Sequence, residues 1–225
     1  MKKMVVLTGA GMSAESGIKT FRDANGLWEG HDVMDVATLE AFNRNPQLVL
    51  EFYNQRRRQL QHVNPNRGHK NLKTLEKHYE IHIITQNVDD LHERAGSSKI
   101  VHLHGELRKV RSTKNENHVL DWSEDLNLGD LDRDGNQLRP HIVWFGEHVP
   151  EMEKAIELTK QADLLVIIGT SMQVYPAAGL INYISNNTPI YVIDPNPPIS
   201  NNSNVTFIKS KAQEGTMQLI KMLID

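Results

Sequence analysis

Two glycine-containing segments of this sequence have the composition that proteins use to hold phosphate groups. Gly9-Ala10-Gly11 follows the apolar residues 5–7, and Gly169-Thr170-Ser171 follows the apolar run 164–168. A glycine turn after a buried strand lets the backbone approach a phosphate, and exposed N–H groups at the start of the next helix attract its charge. The spacing Gly9-x-Gly11-x-x-Ala14 fits the looser form of a dinucleotide-binding fingerprint. A purely structural turn has the same pattern, so both interpretations stay open.

Polar side chains that could move protons also follow apolar runs. His104 comes at the end of a predicted strand (100–103), and a free histidine pKa near neutrality suits a general base. Asn87 and Asp89 follow another predicted strand (81–85), and ligands bind at the carboxyl ends of strands in α/β sheets. Each group has a structural alternative, because His104 could be an ordinary structural histidine and Asn87 could cap the next short helix.

One helix carries a pair of side chains that could bind a carboxylate. Asn45-Pro46 is a good helix start, with Asn as the cap and Pro in the first turn. In the helix that follows, Tyr53 and Arg56 are three residues apart and therefore share a face. Arg can bind a carboxylate through two parallel hydrogen bonds, and a Tyr hydroxyl can add a third. The alternative is a surface tyrosine beside a solvated arginine.

The composition limits the partners of this 225-residue chain. The net charge of −3 does not favour nucleic acid as a general partner. The chain has no cysteine, so disulfides, thiolate zinc sites and a cysteine nucleophile are excluded. No apolar run approaches the roughly 20 residues of a membrane span, and a strand begins close to the first residue. We therefore expect a cytoplasmic enzyme with neither a membrane anchor nor a secretory signal.

The predicted strands and helices alternate along the chain. Strands are expected at 5–7, 81–85, 100–103, 141–145, 164–168, 190–193 and 205–208. This alternation predicts an α/β fold with a doubly wound parallel sheet, which is Rossmann-like. The last helix is expected to face the core with Met217, Leu219, Ile220 and Leu223. A plain dehydrogenase would have a second strand and an acidic residue about 20 residues after the first glycines, and the sequence shows no such strand.

Two insertions interrupt the alternation. We expect a Rossmann-like domain of residues 1–34, 81–106 and 141–225, a helical insertion at 35–80 that carries Tyr53 and Arg56, and a small polar module at 107–140. The side chains expected to stabilise the module are Val119, Leu120, Trp122, Leu126 and Leu138.

The module also contains an acidic segment. Asp130-x-Asp132-x-Asp134-Gly135 imitates the front of a calcium loop. The twelfth position is His141, where a bidentate Glu is needed, so a solvated acidic turn is the favoured interpretation.

Together these segments resemble the sirtuin family. The matching pieces are GAGMSAESGIKTFR (9–22), TQNVDDLH (85–92), HLHGEL (102–107), IVWFGE (142–147), IGTSMQVYPAAG (168–179) and IDPN (193–196). They follow the family's order and cover nearly the whole chain. Tyr53-x-x-Arg56, with Ala37-Thr38 upstream, resembles the bacterial class III subgroup, which removes succinyl and malonyl as well as acetyl groups from lysine.

The resemblance implies that NAD binds across the switch point of the sheet and is consumed as a co-substrate. Arg22 would lie on a loop over the nicotinamide ribose, and Asp194 and Asn196 would lie near the adenosine. The residues implied to bind NAD are Gly9, Ala10, Gly11, Ser13, Phe21, Arg22, Gln86, Asn87, Asp89, Gly169, Thr170, Ser171, Asp194, Asn196 and Ala212.

The resemblance also implies catalytic and substrate-binding roles. His104 would be the general base on a ribose hydroxyl, with Asn87 and Asp89 positioning the ribose and carboxamide. The products would be nicotinamide, free lysine and O-acyl-ADP-ribose. An acyl-lysine peptide or protein would add as a strand between residues 143–147 and 173–175 of a monomeric enzyme. The residues implied to bind it are Tyr53, Arg56, Val143, Phe145, Gly146 and Val174.

Two departures from the family pattern and three alternatives remain. The family usually carries four cysteines that hold a structural zinc in the 107–140 module, and this chain has none, so no zinc is expected. Lys19 stands where the family commonly has proline. The alternatives are a mono-ADP-ribosyltransferase, a non-catalytic NAD- or ADP-ribose-binding module, and an oxidoreductase that uses the same cofactor by hydride transfer.

Overall fold

A computed structural model describes residues 1–19, 27–28, 30–197 and 203–224 of the protein. Its strands are β1 (Lys3–Thr8), β2 (Leu27–Trp28), β3 (His31–Asp32), β4 (Glu80–Thr85), β5 (Ile100–His102), β6 (Gly105–Ser112), β7 (Val119–Asp121), β8 (Leu138–Ile142), β9 (Leu164–Ile168), β10 (Ile190–Ile193) and β11 (Val205–Ile208). Its α-helices are α1 (Val33–Val36), α2 (Leu39–Arg44), α3 (Pro46–His62), α4 (Arg67–Leu75), α5 (Leu91–Arg94), α6 (Met152–Lys160) and α7 (Ala212–Ile224).

Six parallel strands form the central sheet, in the order β11-β10-β9-β1-β4-β5. The chain runs from β1 towards β4 and β5 on one side, and later from β9 towards β10 and β11 on the other. The strand order therefore reverses between β1 and β9, which pair from Met4 and Leu164 to Thr8 and Ile168. This doubly wound sheet confirms the predicted fold class, and the two predicted glycine turns follow the two strands that flank its switch point.

Each face of the sheet is covered by a different set of helices. Met4 and Val6 of β1 pack in one core with α4 and α7, whereas Val5 and Leu7 point to the other face and pack with α6. The helix α4 therefore belongs to a layer on the sheet, although the sequence grouped it with the helical insertion.

The core-facing side of α7 differs from the prediction. Leu219 is completely buried, and Ile220 and Leu223 are partly buried, as expected. The prediction that Met217 faces the core is wrong, because its side chain is 41% exposed. The small residues Ala212, Gly215 and Thr216 lie in the contact instead, and a Cβ added to Gly215 would come within 2.2 Å of the Ile193 side chain. The spacing of large apolar residues in the sequence could not predict this face of α7, because small residues form most of it.

A second core joins α1, α2 and α3 to a three-stranded antiparallel sheet in the order β7-β6-β8. The strand predicted at 141–145 is wrong in its bounds, and it was expected in the central parallel sheet, whereas the observed strand β8 belongs to this antiparallel sheet. It begins earlier because Leu138 already pairs with Ser112, and it ends at Ile142. Of the predicted stabilising side chains in this module, Leu126 and Leu138 are buried and Trp122 is partly buried, but Leu120 is 37% exposed. Val119 is partly exposed as well.

Polar side chains of α3 tie the small module to the helices. The Asn54 amide donates to the Leu126 carbonyl (3.0 Å) and accepts from the Leu126 N–H (2.8 Å). Arg57 is 1% exposed; its Nε donates to the Leu107 carbonyl (3.1 Å) and its Nη1 to Asn54 Oδ1 (2.7 Å). Burial lowers the pKa of Arg57 to about 10, so it stays charged at neutral pH. These contacts hold together the segment that thiolate-bound zinc stabilises in the family pattern.

The acidic turn of the module is closed by its own hydrogen bonds. Asp132 Oδ1 accepts from the backbone N–H groups of Asp134 (2.9 Å) and Asn136 (2.8 Å). Hydrogen bonds, the largest from Ser112, lower the pKa of Asp132 to about 2. His118 approaches Asp132 and Asp134 closely enough for an ion to be shared. However, the Asp132 carboxylate already accepts from backbone N–H groups at Oδ1 and from the Asn136 side-chain amide at Oδ2. This arrangement supports the interpretation as an acidic turn.

None of the described helices combines the length and the apolar character that a membrane crossing needs.

Asn54→Ala is expected to lower the free energy of unfolding by about 1–3 kcal/mol, because it leaves the buried N–H and C=O of Leu126 without partners. Urea denaturation measures the change. Asn43→Ala, at an exposed position of α2, is the matched control and is expected to have little effect. Equal effects of the two substitutions would show that the Asn54 contacts do not hold the module.

A chelator is expected to leave the melting temperature of the purified protein unchanged, because the module is held by backbone pairing and by Asn54 and Arg57. Calorimetry with and without EDTA makes the measurement. A clear drop in the melting temperature would reveal a structural metal and contradict this prediction.

Candidate active site

One cleft of about 1370 Å³ lies at the carboxyl ends of β1, β4 and β9, where the strand order reverses. It exceeds the roughly 300–1,000 Å³ of typical small-molecule sites, which leaves room for a dinucleotide together with a side chain. The predicted site residues that line it are Gly9, Ala10, Gly11, Ser13, Tyr53, Arg56, Gln86, Asn87, Asp89, His104, Val143, Phe145, Gly146, Gly169, Thr170, Ser171, Val174, Asp194, Asn196 and Ala212. Phe21 and Arg22 lie outside the described residues.

The two glycine turns pack directly against each other. The Gly9 N–H donates to the Ile168 carbonyl (3.0 Å), and the Gly11 N–H donates to the Gly169 carbonyl (2.9 Å). A Cβ on Gly11 would lie 2.6 Å from Gly169 Cα, and Gly169 has φ of +61°, which favours glycine. The glycines are therefore required by this close contact, and two of the amides expected to face a phosphate donate within the protein.

The expected helix after the first glycine turn is absent from residues 10–16. Two 3₁₀ turns, Ala10–Met12 and Ala14–Ser16, take its place. Single turns carry little macrodipole, so the predicted attraction of a phosphate to a helix N-terminus has no helix behind it at this turn.

A chain of hydrogen bonds fixes Asn87 at the end of β4. Its Nδ2 donates to the Gly9 carbonyl and to Ser13 Oγ, both at 3.1 Å, and Ser13 Oγ donates to Asp89 Oδ2 (2.8 Å). The N-cap position of the following helix is Asp90, and the Leu91 N–H donates to Asp89 Oδ1 (3.1 Å). Asn87 is therefore not the cap. With both amide hydrogens directed into the protein, its Oδ1 remains as the acceptor for a ligand hydroxyl.

Asp89 is almost fully buried in the wall of the cleft. Burial raises its pKa to about 6, although hydrogen bonds from Ser13 and from the Leu91 N–H act in the opposite direction. At neutral pH the group is mainly ionised, and it loses its charge as the pH falls through about 6. A buried carboxylate with such a pKa is common at functional sites.

His104 is held in the tautomer that a general base needs. Its Nδ1 donates to the Gln86 carbonyl (3.1 Å), because a carbonyl can only accept. In the neutral ring this leaves Nε2 unprotonated. Burial lowers the pKa of His104 below its ordinary value of 6.5, against the opposite effect of the Gln86 bond. The ring is therefore neutral at pH 7 and can accept a proton.

The neighbouring histidine has the opposite shift. Burial is the largest single effect on His102 and lowers its pKa, but the hydrogen bond (2.7 Å) and charge of Glu93, together with Glu106, outweigh it and raise the pKa. His102 Nδ1 also donates to the Asn87 carbonyl (3.3 Å), so His102 supports the backbone of that loop. Glu93, His102 and Glu106 lie close together, and Lys109 pairs with Glu106 (2.9 Å), so we interpret the cluster as a network of ion pairs.

Tyr53 and Arg56 lie in the wall of the same cleft. Tyr53 is completely buried, so the interpretation as a surface tyrosine is wrong. Its hydroxyl accepts a hydrogen bond from Trp144 Nε1 (2.9 Å). Arg56 is half-buried, its guanidinium lies 3.6 Å from the centre of the Phe52 ring, and Nη1 donates to the Phe52 carbonyl. The pair thus presents one neutral hydroxyl and one positive charge.

Several other predicted residues also line the cleft. Asp194 is 2% exposed, and its carboxylate accepts from the Asn196 N–H (2.8 Å) at the end of β10. Phe145 and Val174 are large apolar side chains left 46% and 38% exposed. The Phe145 N–H donates to the Ala37 carbonyl (2.9 Å), which fixes one side of the expected peptide groove.

Sequence reasoning missed two residues that organise the cleft. Trp144 and Glu147 both line it, and Glu147 Oε2 accepts from the Trp144 N–H (2.8 Å). The available signal was their position inside the segment IVWFGE (142–147), between and beside residues assigned to substrate binding.

Comparisons with known proteins agree with this geometry. The family model described as "Sir2 family" matches residues 9–176. The chain belongs to the Sir2 family. This sirtuin is 60% identical over 226 residues to a protein of Helicobacter pylori named "NAD-dependent protein deacylase", covering 100% of this chain and 99% of the relative. A relative of the same name in Bacteroides thetaiotaomicron is 53% identical over 231 residues, covering 100% and 99%.

Solved structures show the same architecture. A Sir2 homologue in complex with NAD superposes on this sirtuin with a TM-score of 0.88 and 38% identity, covering 98% of this chain and 89% of that one. The family expected from the sequence is thus confirmed, and the chain is a sirtuin enzyme.

In an NMR titration, the His104 imidazole is expected to protonate below pH 6.5 and the His102 imidazole above it. Burial opposes the charge of His104, whereas Glu93 stabilises the charge of His102. His102→Gln and His104→Gln variants assign the two resonances. The reverse order of titration would contradict the roles that the structure gives to these two rings.

Proposed function

We propose that this sirtuin is an NAD-dependent protein-lysine deacylase that removes succinyl and malonyl groups, and also acetyl groups. The products are nicotinamide, free lysine and O-acyl-ADP-ribose. One observation carries the proposal: a neutral histidine, a fixed Asn87 and the Tyr53–Arg56 pair all line a single cleft at the switch point of the sheet.

The residues of the cleft fit NAD. Close packing of Gly9 and Gly11 against Gly169 keeps this part of the wall free of side chains, as a pyrophosphate requires. The Asp194 carboxylate at the end of β10 is suited to ribose hydroxyls. NAD supplies the electrophilic ribose carbon and the nicotinamide leaving group.

Each catalytic residue contributes a separate step. Asn87 Oδ1 accepts from a ribose hydroxyl and holds the sugar in the orientation for attack by the acyl oxygen of lysine. The Nε2 atom of His104 then accepts a proton from a ribose hydroxyl. The Gln86 contact at Nδ1 leaves this Nε2 atom unprotonated. Asp89, through Ser13, keeps the Asn87 amide in place.

The acyl pocket explains the preference for acidic groups. The Arg56 guanidinium can bind a terminal carboxylate through two charge-assisted hydrogen bonds, and the Tyr53 hydroxyl can donate a third. The peptide backbone adds between residues 143–147 and 173–175, where Phe145 and Val174 provide exposed apolar contacts. A related Sir2 structure holds a deacetylated peptide and an acetylated ADP-ribose.

Matched acetyl-, succinyl- and malonyl-lysine peptides with NAD, followed by mass spectrometry, test the reaction. We expect one nicotinamide and one O-acyl-ADP-ribose for each lysine released. His104→Tyr is expected to abolish release while the calorimetric affinity for NAD is largely kept. Reduced nicotinamide dinucleotide as the product, or ADP-ribose transferred to the peptide, would refute the proposal.

Arg56→Met is expected to reduce kcat/KM for the succinyl peptide by about tenfold or more, because a charge-assisted bond contributes about 1.5–3 kcal/mol. Its effect on the acetyl peptide should be small, since acetyl has no terminal charge. Arg58→Met, on the exposed face of the same helix, is the matched control. Equal loss of both activities in Arg56→Met would contradict the assignment of the pocket.

A further inference from the structure

The indole of Trp144 determines how the Tyr53 hydroxyl can be used. An indole N–H can only donate a hydrogen bond, so in the 2.9 Å contact the Tyr53 oxygen must accept. The hydroxyl proton is therefore left for a different acceptor. Within the part of the chain that the structure describes, the Trp144 contact is the one hydrogen bond that this hydroxyl makes.

The indole itself is held rigidly. It is 2% exposed, and the Arg139 guanidinium lies 3.4 Å from the centre of its ring. The Phe42 ring packs against it at 5.3 Å between centroids. Such contacts leave one orientation for the ring, and with it one direction for the Nε1–H.

A buried ion cluster fixes the backbone beside this ring. Glu147 accepts from Arg139 at both carboxylate oxygens (2.6 and 3.0 Å) and from Arg111 (3.2 Å). Glu147 Oε2 also accepts from the Trp144 N–H. The carboxylate therefore connects both arginines to the backbone of Trp144.

Tyr53 stays a hydrogen-bond donor at every physiological pH. It is shielded from water, and this burial raises its pKa well above the usual range. A shielded hydroxyl whose proton lacks an acceptor is costly, so it favours any ligand that supplies an oxygen. Arg56 lines the same cleft, and its positive charge favours a negative charge at that oxygen.

We propose that Trp144 is a specificity-determining positioning residue, which occupies the acceptor side of the Tyr53 hydroxyl and so directs its proton at the terminal carboxylate of an acidic acyl group. This inference rests on the proposed function, because it assumes that Tyr53 and Arg56 receive that carboxylate. An acetyl group ends in a methyl and offers no acceptor there. The effect of Trp144 is therefore specific to succinyl and malonyl substrates.

Steady-state kinetics of Trp144→Phe test the inference. We expect KM for the succinyl peptide to rise about tenfold, the value of one hydrogen bond of about 1.4 kcal/mol, with kcat nearly unchanged. KM for the acetyl peptide should stay within about twofold. Tyr53→Phe should raise the succinyl KM at least as much, and the double variant should be no worse than Tyr53→Phe alone.

Two further variants separate the hydrogen bond from packing. Phe42→Leu disturbs the same aromatic contact without removing the N–H, and it should affect acetyl and succinyl peptides equally. Benzothienylalanine at position 144 keeps the shape of the indole but replaces the N–H with sulfur. It should reproduce the selective loss seen in Trp144→Phe.

Equal losses on both peptides, or additive effects of the Trp144 and Tyr53 substitutions, would overturn this inference alone if Arg56→Met is still selective. If the unmodified enzyme does not release succinyl or malonyl groups, the proposed function fails, and this inference fails with it.

Discussion

The close contact between the two glycine turns is the constraint on which the cleft depends. Gly11 and Gly169 approach so closely that a methyl group on either would overlap the backbone of the other. This approach joins β1 to β9 at the point where the strand order reverses, and it sets the position of Ser13 and of the Gly9 carbonyl. The Asn87 side chain is oriented by those two groups, so its geometry follows from a contact between two backbone segments.

The second core positions another part of the cleft wall. A single helix, α3, carries Tyr53 and Arg56 on its cleft side and Asn54 and Arg57 towards the antiparallel sheet. Residues within about one turn of α3 therefore have different partners. Tyr53 and Arg56 line the cleft, whereas Asn54 and Arg57 contact the module. The part of the cleft wall that α3 forms cannot move relative to the module without breaking hydrogen bonds to Leu107 or Leu126.

Much of the site could be predicted because its residues follow directly after buried strands. Short apolar runs ending in Gly9, Gln86 or Gly169 determine both the strand and the position of the polar group. Contacts between distant segments could not be predicted in this way. Asn54 meets Leu126, 72 residues away, and Tyr53 meets Trp144, 91 residues away. Helical spacing gives the side of a helix on which Tyr53 lies, but not the partner that covers it, and so its burial was missed.

The contacts of Asn54 and Arg57 also differ from a zinc–thiolate centre in the reagents that can break them. A zinc–thiolate centre is opened by peroxide and by electrophiles that modify sulfur, because the thiolate is both ligand and nucleophile. Amide and guanidinium groups do not react in this way. A chain without cysteine that joins its module to α3 through such groups has no thiolate contact for these reagents to open.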